Sequence, residues 1–512
     1  MSSLSQLFSP WAAFSAPDSG LSSTVAVVSL VCLPVAVIVA HRISSKPVLG
    51  PWPEGLPRPP QPFWGDSIVQ AVLQDDLPDA SVKSHTKGGP VYRRTYMGES
   101  TTFVSGAANV RSVLNAENNG VISVWPTATY TLLGSKSLAM LHGSEHERLR
   151  RMMQVAFTPK AMRGYLPRIE EIMREQMATW ASGERLSGWE VANKMMLKVA
   201  LQVICGFDKE WTRAEVYDDI YHTFATWLKG LFYFKFDWPG TQYRASQLAR
   251  RRLETMIQRS VDELRKASSA ASPPPTGAEE APVASALEHM LSLESQRGER
   301  FDAHELMDNI FMLLFAGHDT TASAVTRILE ELRRDGGSGG RVWRALRREQ
   351  KEVVQEHGEA FTEAALAQCS LAEGVAREAQ RLGPVVAMLQ RRAERPREVG
   401  GFGVAQGGRM VLGLRSTMQQ DPLFEDDEPR AFKPERWLRP GALRSPSFVP
   451  FGGGPRLCLG NILATHQMKM FVALLVRHYD VEFLSKNERW GWAILPRPMQ
   501  GFPMRVHAVA WP

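Results

Sequence analysis

The most informative stretch of the sequence is FGGGPRLCLG, residues 451–460. Glycines allow the backbone amides of a tight turn to approach a sulfur atom closely, and amide donors stabilise a thiolate. The stretch therefore predicts a cysteine, Cys458, that is stabilised as a thiolate, the form in which cysteine binds metals. The alternative interpretation is a buried, apolar cysteine at the start of a helix.

The same ten residues resemble the F-x-x-G-x-R-x-C-x-G motif of the cytochrome P-450 family. The resemblance implies a b-type haem whose iron has Cys458 as its axial ligand. It also implies that Phe451 lies against the haem and that the guanidinium of Arg456 faces a haem propionate. The fold class that follows is mainly α with a small β component, built as a single catalytic domain.

The apolar periodicity of the chain agrees with that fold class. Apolar residues recur at helical spacing in residues 144–157, 166–180, 243–266, 302–334 and 366–382. Strand signals are short and scattered, in residues 90–96, 101–104, 408–414 and 503–509. The pattern predicts a mostly helical body with few strands.

A second motif interrupts the long helix predicted for residues 302–334. The residues AGHDTT at 316–321 resemble the family element A-G-x-D/E-T-T/S, which implies that Ala316 lies beside the haem and that Asp319 and Thr320 deliver protons. Glycine costs about 1 kcal/mol in a helix interior, so Gly317 predicts a local opening. The Thr320 hydroxyl can bond the Ala316 carbonyl. His318 is interpreted as structural, and the alternative is a solvent-facing helix surface.

A third resemblance concerns the scaffold. The residues EAQRLGP at 378–384 resemble the family's E-x-x-R-L-x-P helix, and PERW at 434–437 resembles its P-E-R-F segment. The resemblance implies a buried charge network of Glu378, Arg381 and Arg436 that is structural, not catalytic.

Further positions complete the expected haem site. His146 and Arg150 stand four apart on one helical face, where the family commonly has W-x-x-x-R, and are expected as cations at a propionate. His146 replaces the usual Trp, and a surface histidine is the alternative. Arg391 is expected on the strand that supplies another propionate partner, with Arg392 as the competing choice.

The N-terminal region predicts a membrane anchor. Residues 21–40 carry no charge, follow a tail of residues 1–20, and precede a proline-rich connector, 41–62. Because Arg42 and Lys46 follow the apolar run, residues 63–512 are expected in the cytosol, on a single-pass protein of the endoplasmic reticulum. The alternatives are the plastid envelope or a cleaved signal or transit peptide. Residues 267–285 are predicted to form a flexible loop.

Composition narrows the classes of partner. Lys and Arg exceed Asp and Glu by 60 to 54 without a long basic block, so no nucleic-acid partner is expected. The cysteines lack C-x-x-C pairs, which argues against zinc sites and a disulfide framework. The aromatic residues of 217–243 indicate either core packing or an apolar lid.

The resemblance implies a monooxygenase that uses O2 and takes electrons from NADPH through a flavoprotein reductase. LHGSEH at 141–146 and PGTQY at 239–243 resemble the branch with retinoic acid, brassinosteroid and other terpenoid hydroxylases. A hydrophobic sterol, retinoid-like or other terpenoid substrate is therefore expected, in a pocket lined by Phe311, Leu314, Phe315 and residues 385–389. The alternatives are a hydroperoxide-rearranging haem-thiolate enzyme that needs no reductase, and a haem sensor.

Overall fold

The computed structural model describes residues 89–96, 99–207, 209–270, 285–297, 300–421, 428–491 and 495–511. The predicted tail (1–20), anchor (21–40) and connector (41–62) lie outside these residues and stay predictions. Among the helices that are described, none has the length and apolar character needed to span a bilayer.

The body is mostly helical with a small sheet component. Its α-helices are α1 (Ala107–Asn115), α2 (Thr127–Leu132), α3 (Gly143–Gln154), α4 (Pro159–Ala178), α5 (Gly188–Val199), α6 (Ala214–Gly230), α7 (Gln242–Ala270), α8 (Ala286–Arg297), α9 (Ala303–Arg334), α10 (Arg341–His357), α11 (Glu363–Gln368), α12 (Ser370–Leu382), α13 (Leu414–Gln419) and α14 (Asn461–His478).

The strands form small sheets at the edge of the helical body. They are β1 (Val91–Tyr96), β2 (Glu99–Val104), β3 (Val121–Ser123), β4 (Arg185–Ser187), β5 (Met388–Ala393), β6 (Arg397–Val399), β7 (Phe402–Val404), β8 (Arg409–Gly413), β9 (Tyr479–Phe483), β10 (Trp490–Gly491), β11 (Arg497–Pro498) and β12 (Pro503–Ala508). The largest sheet has the order β1-β2-β8-β5-β3, in which only β2 and β8 pair in parallel. A three-stranded sheet has the order β4-β12-β9.

Helix α9 is the central element of the core. Its 32 residues span about 48 Å, and the Asp302 side chain caps its start by accepting the backbone N–H of Glu305 at 2.8 Å. Helices α5, α12 and α14 pack along it. Because α9 is covered on several sides, most of its side chains are buried, polar ones included.

The predicted helix over residues 366–382 is wrong at one point, since α11 and α12 are separate helices that meet at Cys369. The backbone of Cys369 leaves the helical region, with φ −72° and ψ 57°. The carboxylate of Glu349 from α10 accepts the N–H groups of Leu371 and Ala372. This carboxylate caps the start of α12, which stabilises a new helix start there.

The predicted loop over residues 267–285 was too long at its beginning. Helix α7 continues to Ala270, because residues 267–270 are alanines and serines that a helix tolerates, and the first proline follows only at position 273. Residues 271–284 lie outside the described residues, and α8 begins at Ala286.

Candidate active site

Cys458 lies in a glycine-rich turn that leads into α14. Gly452 and Gly454 have φ values of 72° and 62°, a region that favours glycine. A Cβ on Gly454 would lie 2.3 Å from the carbonyl oxygen of Leu114, so the turn packs directly on the end of α1. The backbone N–H of Cys458 donates to the Phe451 carbonyl at 3.1 Å. These contacts fix the backbone on the N-terminal side of the cysteine.

The Cys458 thiol has accessible surface, but protein atoms surround it. These surroundings keep bulk water away from the thiol, which raises its pKa above the ordinary value. The backbone N–H of Gly460 and the positive charge of Arg150 act in the opposite direction. The sulfur therefore lies at the wall of an internal space, where a hydrogen bond and a nearby cation favour the thiolate.

A buried carboxylate joins the two arginines expected at the haem propionates. Glu117 Oε2 lies 2.6 Å from Arg391 Nε, and Glu117 Oε1 accepts from Arg456 Nε. Glu117 is 2% exposed. The competing candidate, Arg392, pairs instead with Glu99 at 3.4 Å. The structure thus brings Arg391, and not Arg392, to Arg456.

The guanidinium of Arg456 is held by protein acceptors on all three nitrogens. Besides the Glu117 bond of Nε, Nη1 donates to the Ala139 carbonyl at 3.2 Å and Nη2 donates to the Leu141 carbonyl. Nη2 also lies 2.8 Å from His142 Nδ1. Arg456 therefore contributes mainly positive charge to this region, and a direct bond to a propionate stays a prediction.

Three guanidiniums and one acid form a cationic cluster, in which Glu117 pairs with Arg391 and Arg456 while the charge of Arg150 acts on that of Arg456. Burial lowers the pKa of each of the three arginines below its ordinary value. Three positive charges less one negative charge leave an excess of two, which is unfavourable in a partly desolvated cluster. The two carboxylates of a haem would neutralise this excess, so the donor set fits that cofactor.

Helix α3 connects this cluster to the Cys458 turn. Arg150 Nη2 donates to the Leu457 carbonyl at 2.6 Å. His146, one turn earlier, is 1% exposed, so it is not a surface histidine. The expectation that His146 is a cation was wrong, because burial and the charges of Arg456 and Arg150 lower its pKa to about 3. His146 is therefore a neutral group beside Arg150.

The middle of α9 is open on one side. Between Glu305 and Leu332 every residue is buried except Ala316, Gly317 and Thr320. The Thr320 hydroxyl donates to the Ala316 carbonyl oxygen, as the sequence predicted. Since these residues lie on one face within about one turn, the helix borders an internal space there.

Asp319 points into a buried polar chain next to that open face. Its Oδ2 lies 2.7 Å from Arg497 Nη2 in β11, and its Oδ1 accepts from Asn193 Nδ2 in α5 at 3.2 Å. His318 Nε2 lies 3.0 Å from Asn193 Oδ1. Burial lowers the pKa of His318 to about 4, so it is neutral at pH 7 and structural, as expected. Proton delivery by Asp319 stays a prediction.

The local opening expected at Gly317 is wrong, because α9 is helical without interruption. A Cβ on Gly317 would lie 2.3 Å from Cδ1 of Ile204. Ile204 belongs to a π-helical turn, Ala200–Ile204, that follows α5. Gly317 therefore allows two helices to approach closely, which explains a glycine at this position without a break in the hydrogen bonding.

The apolar residues expected to line a substrate pocket separate into two groups. Phe315 is 9% exposed, and its ring lies 6.3 Å from that of Phe232. Phe311 is fully buried instead, between the ring of Trp227 at 5.0 Å and the guanidinium of Arg250 at 4.7 Å. The expectation that Phe311 lines the pocket was therefore wrong, since its face of α9 packs against other helices.

The predicted scaffold network is confirmed. Glu378 is 0% exposed and accepts Arg381 Nε and Nη2, both at 2.9 Å. Arg436 Nε lies 2.9 Å from the same carboxylate, and Trp437 Nε1 donates to it at 2.9 Å. A single buried acid therefore ties α12 to the turn of residues 434–438.

A groove of about 390 Å³ lies beside the Cys458 turn. The turn contributes Phe451, Gly452 and Leu457 to its wall, and α12 and α14 contribute Arg377 and Lys469. Leu457 is 38% exposed. The groove thus combines apolar surface with positive charge next to the candidate iron ligand.

Sequence reasoning missed Glu117, Asn118, Asn193 and Arg497. The stretch ENNG at 117–120 has the composition of a turn. This composition predicts the local backbone conformation, but it does not indicate which side chains Glu117 and Asn118 bind. Asn193 and Arg497 lie on elements far from Asp319 in the chain. Arg497 stands between Pro496 and Pro498, outside every predicted strand, so no local pattern indicated its role.

Comparison with known proteins agrees with this site. The sequence model of the cytochrome P-450 family matches residues 56–497. The chain is 28% identical to cytochrome P-450 26A1 of Xenopus laevis, with 87% of this chain and 88% of that protein covered. It is 25% identical to abscisic acid 8'-hydroxylase 4 of Arabidopsis thaliana, with 86% and 90% covered.

A solved structure has the same fold. Retinoic acid bound cyanobacterial CYP120A1 superposes with a TM-score of 0.74 at 27% sequence identity. The alignment covers 89% of this chain and 100% of that chain. The related sequence of Synechocystis, putative cytochrome P-450 120, is 28% identical over 89% of this chain and 98% of its own length.

Proposed function

This chain belongs to the cytochrome P-450 family, and from that premise we propose that it hydroxylates a hydrophobic, terpenoid-like substrate at a C–H bond. It is a haem-thiolate monooxygenase, and the thiolate-bound haem supplies the activation of dioxygen when bound. The observation that supports the proposal is the open face of α9 at Ala316, Gly317 and Thr320, together with the accessible thiol of Cys458.

Each site residue has a distinct role in this proposal. Cys458 provides the thiolate ligand of the iron. Arg150 and Arg391 bind the haem propionates, because their guanidiniums have nitrogens that no described protein acceptor occupies. Thr320, held by the Ala316 carbonyl, orients a water for proton delivery, and Asp319 replenishes that proton.

The proposed substrate is a retinoid, a sterol or another terpenoid. One relative of this chain carries the name of an abscisic acid hydroxylase, and the solved relative has retinoic acid bound. The rings of Trp125 and Phe232 are 6.5 Å apart, and Phe315 continues this aromatic row to the residue before Ala316. Such a row suits a rigid, apolar ligand.

Substrate binding tests this assignment directly. Purified haem-loaded protein should change its ferric spin state when titrated with some members of a panel of retinoids, sterols, carotenoids and diterpenes. Turnover of the binding compound with NADPH and a flavoprotein reductase should give a hydroxylated product. Turnover of a fatty-acid hydroperoxide without reductase would instead favour a rearranging enzyme.

The reductase is proposed to dock at the groove beside the Cys458 turn. Arg377 and Lys469 share a single acid there, Glu373, at 2.7 Å and 3.0 Å, which leaves one excess positive charge. Leu443 and Leu457 add exposed apolar surface, at 55% and 38%. An acidic flavoprotein surface would complement this combination of charge and apolar contact.

Replacing Thr320 with alanine should uncouple the reaction. Haem content, substrate affinity and NADPH consumption should stay close to wild type, because the hydroxyl contacts only the Ala316 carbonyl among the described residues. Loss of an oriented proton donor typically costs about 10²- to 10⁴-fold in a proton-transfer step. Product formed per NADPH should therefore fall sharply, and released hydrogen peroxide should rise to match it.

The matched control is Thr321→Ala, one residue on and about 100° around the helix. Thr321 is 3% exposed and faces the core, so its removal should leave the coupling unchanged. Thr320→Ser, which retains a hydroxyl, should recover most of the coupling. Simultaneous accounting of NADPH, peroxide and product decides, and equal coupling in Thr320→Ala and wild type would rule out this role for the hydroxyl.

An exposed aromatic patch supports the proposed membrane association. The patch consists of Tyr233, Phe234, Phe236 and Trp238, which are 40%, 58%, 47% and 64% exposed. Aromatic residues of this kind favour the membrane–water interface. Together with the predicted anchor, the patch supports a protein of the endoplasmic reticulum membrane, with the plastid envelope as the alternative.

Deleting residues 1–49 should therefore release only part of the protein from membranes. Adding Phe234→Ser and Trp238→Ser to the deletion should release the rest, because burying one large apolar side chain contributes about 1.5–3 kcal/mol. The control is Leu438→Ser, which removes an equally exposed apolar residue, at 52%, outside the patch. Fractionation with salt and carbonate washes measures this; full-length protein in the soluble fraction would refute the membrane assignment.

A further inference from the structure

Asn118 occupies a backbone conformation that fixes the direction of its side chain. Its φ of 63° lies in the left-handed region, which asparagine tolerates better than most residues. The residue turns the chain from α1 towards β3, and its backbone N–H donates to the Val121 carbonyl at 3.2 Å. The side chain therefore leaves the turn in one direction, towards the start of α3.

The two ends of the Asn118 amide can be assigned from their partners. The backbone N–H of Gly143 lies 3.1 Å from Oδ1, and because an N–H can only donate, the atom that faces it must be the oxygen. The nitrogen Nδ2 must then face His146 Nδ1, at 3.1 Å. Since an amide N–H can only donate, His146 Nδ1 has to accept and cannot carry a proton.

The surroundings of His146 keep the ring neutral. The groups that face it are Arg456, Arg150 and His142, all of which disfavour an imidazolium, and burial acts in the same direction to lower the pKa. A neutral ring without a proton on Nδ1 carries its proton on Nε2. Among the described residues Nε2 has no hydrogen-bond partner, although the side chain is 1% exposed.

We propose that Asn118 is a positioning residue that holds His146 as the neutral tautomer protonated on Nε2, so that His146 donates this hydrogen to a haem carboxylate. The proposal rests on the placement of that carboxylate beside Arg150, one turn along α3. The cationic cluster already carries an excess of two positive charges. A neutral donor adds a hydrogen bond to the carboxylate without adding a third excess charge.

The tautomer can be observed directly in the haem-loaded protein. In protein labelled with ¹⁵N in its histidines, the His146 signals, identified by their loss in His146→Gln, should show a protonated Nε2 and an unprotonated Nδ1 between pH 6 and 8. Asn118→Asp keeps the shape and the Gly143 contact but turns the donor into an acceptor. In that variant His146 should become protonated on Nδ1. A proton on Nδ1 in the wild type would overturn the proposal.

The rate of haem transfer to excess apomyoglobin tests the consequence for the cofactor. His146→Phe should speed transfer by about tenfold, the effect of losing one hydrogen bond to a charged group. Asn118→Gly, which suits the left-handed backbone, should speed transfer severalfold because it frees the ring. In the His146→Phe background Asn118→Gly should add nothing, whereas independent structural damage would add fully.

The control variant is Asn119→Ala in the same turn. Among the described residues, the Asn119 side chain accepts a single bond, from exposed Arg395 at 3.2 Å. This variant should leave the His146 tautomer and the rate of haem transfer at their wild-type values. Additive effects of Asn118→Gly and His146→Phe, or wild-type haem transfer in His146→Phe, would overturn the proposal. Neither result would affect the assignment of Cys458, which the reduced carbon-monoxide spectrum reports separately.

Discussion

Replacing Cys458 with serine should abolish monooxygenation and remove the far red-shifted Soret band of the reduced, carbon-monoxide-treated protein. A hydroxyl does not donate electron density to iron as a thiolate does, so the characteristic spectrum of a sulfur-bound haem is lost. The Cys458 side chain is accessible and receives favourable interactions from Gly460 and Arg150, which the substitution leaves in place. The loss should therefore be specific to the ligand.

Cys369→Ser is the matched control for this experiment. The Cys369 sulfur is buried between α10 and α11, where it donates to the Ala365 carbonyl at 3.2 Å and lies 3.5 Å from Gln350 Nε2. A serine can make the same contacts, so the spectrum and activity should survive. A wild-type spectrum typical of histidine-bound haem, or an unchanged spectrum in Cys458→Ser, would refute the assignment of the ligand.

Replacing Glu378 with glutamine should have the largest effect on stability. The substitution leaves Arg381 and Arg436, both 1% exposed, without the carboxylate that pairs with both of them. Removing one partner of a buried ion pair typically costs about 3–5 kcal/mol, a large share of the roughly 5–15 kcal/mol that stabilises a folded protein. The variant should unfold at lower temperature and lose haem on purification.

Glu435→Gln provides the comparison, because it removes the same charge from the turn of residues 434–438, to which Glu378 binds. Glu435 is 41% exposed and pairs with Arg341 at the surface, where such a pair contributes about 0–1 kcal/mol. Thermal unfolding followed by circular dichroism and by haem absorbance measures both variants. A similar midpoint for Glu378→Gln and Glu435→Gln would contradict the structural role of the buried network.

The parts of the site that could be predicted are those whose chemistry is local in sequence. The Thr320 bond to Ala316 follows from helix geometry alone, and the Glu378 network follows from motifs that lie on one helix and one turn. The predicted strands near β1, β2, β8 and β12 were likewise confirmed, because each is a short local run that contains apolar or β-branched residues.

The parts that could not be predicted depend on contacts between distant segments. Glu117 meets Arg456 across 339 positions, and Asn193 meets Asp319 across 126. Phe311 was assigned to the wrong environment because periodicity identifies an apolar face of a helix but not what covers it. The neutral state of His146 required its burial and the positions of two arginines, neither of which is visible in the residue order.

The close approach of Gly317 and Ile204 makes two positions interdependent, although more than a hundred residues separate them. Any larger side chain at 317 must displace Cδ1 of Ile204, which requires either another rotamer of Ile204 or a smaller residue at position 204. A substitution that enlarges 317 first therefore makes Ile204 change its rotamer, whereas one that shortens 204 first leaves a cavity. The order of the substitutions, and not only their identity, therefore affects the stability of the intermediate at this wall of the internal space.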